Sequence, residues 1–304
     1  RQRVVGDRTQ QPLSEEYINS LRPLSRNDCA NGGVDWSFVP IAVTSNKMRA
    51  MINLKQARRF ALQRGVPVVL LRNSKYDLAV NNYSEDDVNR LVQFDPEAFG
   101  DIFVAGAPIM VRYNACPAAG IANGSRAVLH SLLYNDAPTR NQVQAQLAAA
   151  APGALVVVSQ PNAVLVDMTD IPTSKWNKSA MGLSPDGDRA LIPLPACPPA
   201  RNTKKGEDVG YFRYSLGFSY TFYKLQGLTM EQVILDLRSP PNGEGKNFRA
   251  VAFGMLYVGL TRVRSGADIR VLINVKGKTR LKRLRDDGIL GRWLARYNSD
   301  GLFI

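Results

Sequence analysis

An apolar run, a capped helix, a glycine stop and a second apolar run follow one another between Phe38 and Leu71. Phe38–Val43 is strand-like. Thr44-Ser45-Asn46 offers capping side chains, Lys47–Arg64 has helical composition, Gly65 can end the helix, and Val66–Leu71 (VPVVLL) is a second buried strand. Two parallel neighbours cannot be joined by a hairpin and need a crossover, so strand–helix–strand in roughly thirty residues predicts a parallel sheet. The expected class is α/β.

The rest of the chain is ordered around that unit. Residues 1–13 open with a short apolar run and turn at Gly6-Asp7, as a buried strand ends at the carboxyl edge of a sheet. Ser14–Leu24 reads as a short helix with Ser14 as cap and Glu15-Glu16 in its first turn. Residues 73–100 are polar and acidic and suggest no role. From Ile102 to Ser131, β-prone segments alternate with Gly, Pro and Asn turns, which predicts a small antiparallel unit. Gln142–Ala151 is an Ala-rich surface helix. Ala154–Ser159 and Ala163–Met168 read as a strand pair across a Pro-Asn turn, and residues 170–210 as long loops around one strand, Ala190–Leu194. The parallel sheet is expected to resume at Tyr211–Tyr223, Gln232–Leu237 and Ile269–Val275, with a helix over 252–263.

Charge narrows the partners. Lys and Arg number 39 against 26 Asp and Glu, a net +13 that favours polyanions through counterion release. Hydrophobic residues at 45% and charged ones at 21% are an ordinary globular balance. No apolar run approaches the roughly 18 residues of a membrane span, so no membrane partner is expected. Three scattered cysteines, Cys29, Cys116 and Cys197, fit neither a zinc site nor a disulfide framework and predict a reducing, intracellular compartment. The single histidine, His130, lies in a strand-like run and reads as structural, which argues against a Ser-His-Asp or His-rich metal mechanism. The chain opens on Arg1 without a signal-peptide pattern, as a fragment, a processed product or an incomplete gene model would.

No GxxxxGK[ST] loop occurs, and no acidic pair closes an apolar strand. The chemistry concentrates instead in Thr221–Leu237 and Phe253–Ser265. In the first stretch Gly227 would let the backbone approach a phosphate, with Lys224 and Thr229 able to touch a nucleic-acid backbone. A plain glycine turn between strands explains the same residues. Thr221-Phe222-Tyr223-Lys224-Leu225-Gln226-Gly227-Leu228-Thr229 resembles motif V of the Pif/RecD branch of superfamily 1 DNA helicases, T-x-H-K-S-Q-G-x-T. Tyr223 stands for the usual histidine and Leu225 for the usual serine. Tyr257-Val258-Gly259-Leu260-Thr261-Arg262 is similar to motif VI, Y-V-A-L-[ST]-R. Extending the helix through this segment gives an apolar stripe of Leu256, Leu260 and Val263, with Arg262 off it and Arg264 nearer the buried edge.

Three further segments match in sequence order. Gly6-Asp7-Arg8-Thr9-Gln10-Gln11-Pro12 resembles motif III, G-D-x-x-Q-L-P. Thr44-Ser45-Asn46 through Ile52-Asn53 resembles the opening of the second RecA-like domain. Gly106–Met110 through Asn123-Gly124-Ser125-Arg126 resembles the start of the small SH3-like insertion.

The resemblance implies a RecA-like parallel sheet of P-loop NTPase type interrupted by a β-rich SH3-like subdomain. It divides the chain into a remnant of a first RecA-like domain (1–27), a second RecA-like domain (28–104 and 211–304) and the insertion (105–210). It implies ATP-dependent unwinding of, or translocation on, single-stranded DNA, with ATP and Mg2+ held only together with an upstream RecA-like domain. Gln10 and Arg262 are the implied catalytic residues, Arg262 as an arginine finger. Gly227 and Gln226 join Arg262 at the nucleotide, and Thr44, Asn46, Lys224, Thr229, Arg112, Tyr113, Asn123 and Arg126 line the DNA. Arg22 and Arg26 are alternatives for a missing arginine motif. The chain alone, lacking a phosphate loop, is expected not to hydrolyse ATP. A helicase-derived nucleic-acid-binding module without motor activity is the other reading.

Overall fold

The computed structural model describes residues 15–29, 36–94, 96–114, 121–168, 191–196, 212–238 and 251–284. In chain order the elements are α1 (Glu15–Ser20), β1 (Ile41–Val43), α2 (Asn46–Arg64), β2 (Val68–Arg72), α3 (Ser74–Asn82), α4 (Glu85–Phe94), α5 (Pro96–Phe99), β3 (Gly100–Phe103), β4 (Pro108–Val111) and β5 (Arg126–Leu133). They continue with α6 (Ala137–Ala149), β6 (Leu155–Val158), β7 (Ala163–Asp167), β8 (Leu191–Pro195), β9 (Tyr214–Leu216), β10 (Ser219–Thr221), β11 (Val233–Asp236), α7 (Phe253–Leu260), β12 (Ile269–Leu272) and α8 (Val275–Leu281). The chain divides into two compact units, Arg1–Arg49 with Ser219–Ile304, and Ala50–Phe218.

The first unit is built on a four-stranded parallel sheet in the order β10-β1-β11-β12. Its strands are apolar and covered on both sides. Ala42, Val43, Val233, Ile234, Leu235 and Val271 are all buried. Beyond β12, Arg22–Leu24 runs as a further parallel edge: Leu24 N–H donates to Val271 C=O and Val271 N–H to Arg22 C=O, both at 2.9 Å. Arg22–Leu24, within the 1–27 segment expected as a remnant of a preceding domain, thus pairs with this sheet. Asp28 fixes the segment through Arg270 Nε at 2.9 Å, and that guanidinium also covers the Trp36 ring. The Ser25 hydroxyl and amide, with Arg270 behind them, hold the Asp28 carboxyl down at about 2.

The second unit has two sheets. One orders β3-β2-β6, with β2 antiparallel to β3 and parallel to β6. The other is a five-stranded antiparallel sheet, β8-β7-β5-β4-β9. The antiparallel unit expected over Ile102–Ser131 is present in β4 and β5, and the sheet also takes in β7, β8 and β9.

Helix α2 starts where the caps predict. Ser45 Oγ accepts from Met48 N–H at 3.2 Å. Gly65, at φ +69, ends it with Val66 N–H on Ala61 C=O and Gly65 N–H on Leu62 C=O, a paired closure that needs a left-handed residue. The inference drawn from the flanking strands does not hold: β1 and β2 lie in different sheets. An apolar run specifies burial on both faces but not its partner, and VVLL pairs with β3 and β6. The hairpin expected across Pro161-Asn162 is corrected for the same reason, since β6 joins β2 while β7 joins β5. Between them Tyr134 Oη donates to Ser159 C=O and Asn162 Oδ1 accepts from Asn135 N–H, so the turn bridges two sheets.

The polar stretch 73–100 forms three helices. Asn73 Oδ1 caps α3 by accepting from Lys75 and Tyr76 N–H, Ser84 caps α4, and Val88 and Val92 form the buried side of α4. His130 is exposed at an irregularity in β5, its Nδ1 2.9 Å from Ser131 Oγ. Among the described residues, no helix is long and apolar enough to cross a membrane. Residues 50–104 fall in the same compact unit as the antiparallel sheet.

Candidate nucleic-acid interface

In a parallel sheet, ligands collect where the carboxyl ends of the strands release their loops. Here β1 is flanked by β10 and β11, with Val43 opposite Thr221 and Ala42 opposite Leu235. Thr44–Asn46, Phe222–Thr229 and Asp236–Arg238 therefore leave one edge side by side.

The central loop is built by alternating anchors and exposed groups. A 3-10 turn over Phe222–Leu225 buries Phe222 and Leu225 and leaves Tyr223 and Lys224 in solvent, Tyr223 at 62% exposure. Leu228 N–H returns to Leu225 C=O, Gly227 takes φ +83, and Met230 is buried again. Lys224, Gln226, Gly227 and Thr229 are exposed along the outside of this loop, and so is Asn46 at the start of α2. Thr44, expected at the nucleic acid, is instead buried to 8% exposure. Tyr220 and Phe222, the aromatic residues just before Tyr223, belong to the core, whereas Tyr223 is presented to solvent.

Helix α7 buries Met255, Leu256, Gly259 and Leu260. Gly259 is needed for its close approach to the sheet: a Cβ there would stand 2.9 Å from both Leu235 Cδ2 and Phe222 Cε1. The helix ends at Leu260, so the expected stripe does not extend to Val263. Thr261 Oγ1 donates to Tyr257 and Val258 C=O, and Arg262 Nε donates to Val258 C=O at 2.9 Å, closing the last turn. That early end reverses the expected placement of the two arginines: Arg264 is exposed and Arg262 is half-buried.

Arg262 joins the two motif segments. Its Nη1 donates to Leu228 C=O at 3.2 Å and lies 3.5 Å from Leu225 C=O, and its Nη2 donates to Thr261 Oγ1 at 2.8 Å. Its own carbonyl accepts from Met230 N–H at 2.8 Å. The loop bearing Lys224 and Thr229 is thereby latched to the end of α7. Asp236 and Arg238, which sequence reasoning did not single out, form a two-point ion pair at the same edge (2.8 and 2.6 Å). Asp236 closes β11, and its following arginine was the available signal.

The remaining candidates lie in the second unit. Arg112 and Tyr113 follow β4, and Asn123–Arg126 turns into β5. Gly124 N–H donates to Val111 C=O, Val111 N–H to Ser125 C=O, and Asn123 N–H to Asn114 Oδ1, each at 2.9 Å. These four residues are thus brought to one hairpin. A cavity of about 300 Å³ in the same unit is lined by Asn53, Asn73, Asp101, Arg112 and Tyr214 among others. Desolvation pushes the Asp101 carboxyl up to about 7, against the stabilising Phe212 N–H at 3.0 Å. Gln10 lies outside the described residues, as do Cys116 and Cys197.

The chain is similar in structure to Pif1 helicases. Pif1 from Candida albicans matches at 15% identity over 92% of this chain and 54% of its own, with a TM-score of 0.47. Bacteroides Pif1 in complex with ADP-AlF3 and single-stranded DNA matches at 15% over 95% and 51%, TM-score 0.44. Bacteroides Pif1 bound to single-stranded DNA gives the same identity and coverages, TM-score 0.45. The chain spans about half the length of these structures. No family model matches the sequence, and no curated protein does.

Proposed function

We propose that this chain is the C-terminal part of a Pif/RecD-like, ATP-dependent DNA helicase, containing its second RecA-like domain and a β-rich, SH3-like insertion, and that it binds single-stranded DNA. One observation carries the reading. Two segments selected by sequence pattern alone, Thr221–Thr229 and Tyr257–Arg262, meet at the carboxyl edge of a parallel sheet and are joined through Arg262. Lys224, Thr229 and Asn46 are exposed on that edge, in a chain of net charge +13.

The residues present do not make a nucleotide site by themselves. There is no GxxxxGK[ST] loop, and the Arg262 guanidinium is directed to the Leu225 and Leu228 carbonyls of the neighbouring loop. ATP and Mg2+ enter only with an upstream RecA-like domain, whose residues would supply the phosphate loop. The internal engagement of Arg262 favours, for this chain alone, the second reading: a nucleic-acid-binding module without turnover.

Anisotropy of a fluorescein-labelled oligothymidylate, titrated with the 304-residue chain across a salt series, tests the shared part. Lys224→Ala should weaken binding and reduce the slope of log K against log salt by about 0.7, one phosphate contact on a single strand. An unchanged slope and affinity would remove Lys224, and with it this edge, from the interface. DNA-stimulated ATP turnover by the chain, abolished by Arg262→Ala, would overturn the assignment of the phosphate loop to another domain.

A further inference from the structure

The antiparallel unit carries a pair of arginines, one of which the sequence did not mark. Strands β4 and β9 are neighbours with Val111 opposite Tyr214, and the ladder continues one step further: Arg112 N–H donates to Arg213 C=O at 2.7 Å. Arg112 and Arg213 therefore leave the sheet edge side by side. The Arg213 guanidinium carbon lies 5.8 Å from the centroid of the Tyr113 ring, close enough for the ring face to hold the cation in place. Neither arginine forms an ion pair among the described residues.

Backbone conformation singles out Arg213. Its φ is +48, and among the described residues every other positive φ belongs to a glycine. A side chain in this region crowds its own carbonyl, and glycine would hold the same turn without that strain. A strained non-glycine residue of this kind is a starting point for a functional hypothesis. Two guanidinium groups set by adjacent backbone positions, one of them braced by a ring, match the oxygens of a phosphodiester chain.

We propose that Arg213, together with Arg112, forms a second phosphate contact for single-stranded nucleic acid on the antiparallel unit, and that Tyr113 positions Arg213 for it. The inference rests on the proposed function for the identity of the polyanion, and it adds a residue and a site outside the parallel sheet.

The test uses the full chain, fluorescein-labelled oligothymidylate and a KCl series, with thermal unfolding of each variant in parallel. Arg213→Gly should weaken binding roughly three- to tenfold and lower the salt slope by about 0.7, while the melting temperature stays level or rises because the strain is relieved. Arg213→Asn, which tolerates the same φ without charge, should behave alike. Tyr113→Ala should reproduce part of the loss and Tyr113→Leu no less, since neither offers a π face. Wild-type affinity and slope in Arg213→Gly would overturn the inference, and so would a lower melting temperature, which would make Arg213 structural. Displacement of the labelled strand by polyglutamate as readily as by unlabelled oligonucleotide would also overturn it, pointing to an acidic protein surface. A wild-type chain that does not bind the oligonucleotide removes both the inference and the proposed function. A wild type that binds and depends on Lys224 but not on Arg213 removes the inference alone.

Discussion

Replacing Arg262 by alanine tests how far the loop at the sheet edge depends on one side chain. The guanidinium serves four acceptors, but they do not depend on it equally. Val258 C=O also accepts from Thr261 Oγ1, and Leu225 C=O also accepts from Leu228 N–H. Leu228 C=O has Arg262 Nη1, at 3.2 Å, as its partner. A hydrogen bond to a charged group contributes about 1.5–3 kcal/mol, and partial solvent exposure brings this one to the lower end. With a few tenths for the longer Leu225 contact, Arg262→Ala should destabilise the loop by about 2 kcal/mol. The assay is amide hydrogen exchange, because it separates the loop from the rest of its unit. Met230 N–H, bonded to the Arg262 carbonyl, should exchange about 30-fold faster, the equivalent of 2 kcal/mol in local opening. Ile234 N–H, bonded to Pro40 C=O inside the sheet, should not change. Arg262→Lys should lie between, since one ammonium cannot span Val258 and Leu228 together. Equal Met230 exchange in wild type and Arg262→Ala would refute the latch and leave the side chain free for other work.

Three further outcomes follow from the geometry. Gly100→Ala drives a Cβ into Leu71 C=O within the β2–β3 ladder, so the second unit should lose about 3 kcal/mol or more and melt roughly 6–12 °C lower; calorimetry showing less than a degree of change would contradict the packing. Asp101, raised to about 7 in the folded chain and near 3.9 unfolded, binds its proton more tightly when folded, so stability should fall as pH rises from about 4 through 7. Asp101→Asn should flatten that fall and melt higher than wild type at pH 8, and parallel melting profiles from pH 4 to 8 would sink the assignment. Gly227→Ala meets nothing within 4 Å and should cost only the strain of φ +83, about 1 kcal/mol; a loss of several kcal/mol in urea denaturation would show a contact the geometry lacks.

Local signals in the sequence were legible where local physics decides them. Ser45 and Gly65 bracket α2 because a hydroxyl cap and a left-handed stop act within a few residues. The strand at Leu191–Pro195 and the helix from Phe253 were equally readable. Partner choice was not. VPVVLL announces burial but cannot say whether its neighbour is β1 or β6, and the Pro-Asn turn looks the same whether it closes a hairpin or links two sheets. Helices α3 and α4 were missed although Asn73 and Ser84 cap them, because the acidic composition of 73–100 obscured the Val88–Val92 pair that α4 buries. Arg213 left no trace in composition or spacing, since a positive φ on a non-glycine residue is a property of the folded chain.

The Arg262 contacts also change what the two motif segments mean for each other. Read along the chain, Lys224-Leu225-Gln226-Gly227 and Leu260-Thr261-Arg262 are separate patterns with separate duties. In the folded unit, the arginine of the second orders the loop of the first. An arginine whose donors hold Leu228 and Val258 is not at the same moment available to another anion. The order of the loop and the engagement of Arg262 are therefore one equilibrium. If Lys224 and Thr229 contact a strand only when the loop is latched, Arg262→Ala should weaken single-strand binding by up to about 30-fold, the full 2 kcal/mol of lost order, in a variant whose substituted side chain does not touch the strand. Arg262→Lys should again be intermediate. A variant with accelerated Met230 exchange and wild-type affinity would separate the two, and the exposed face of the loop would then bind as a mobile segment rather than a preformed one.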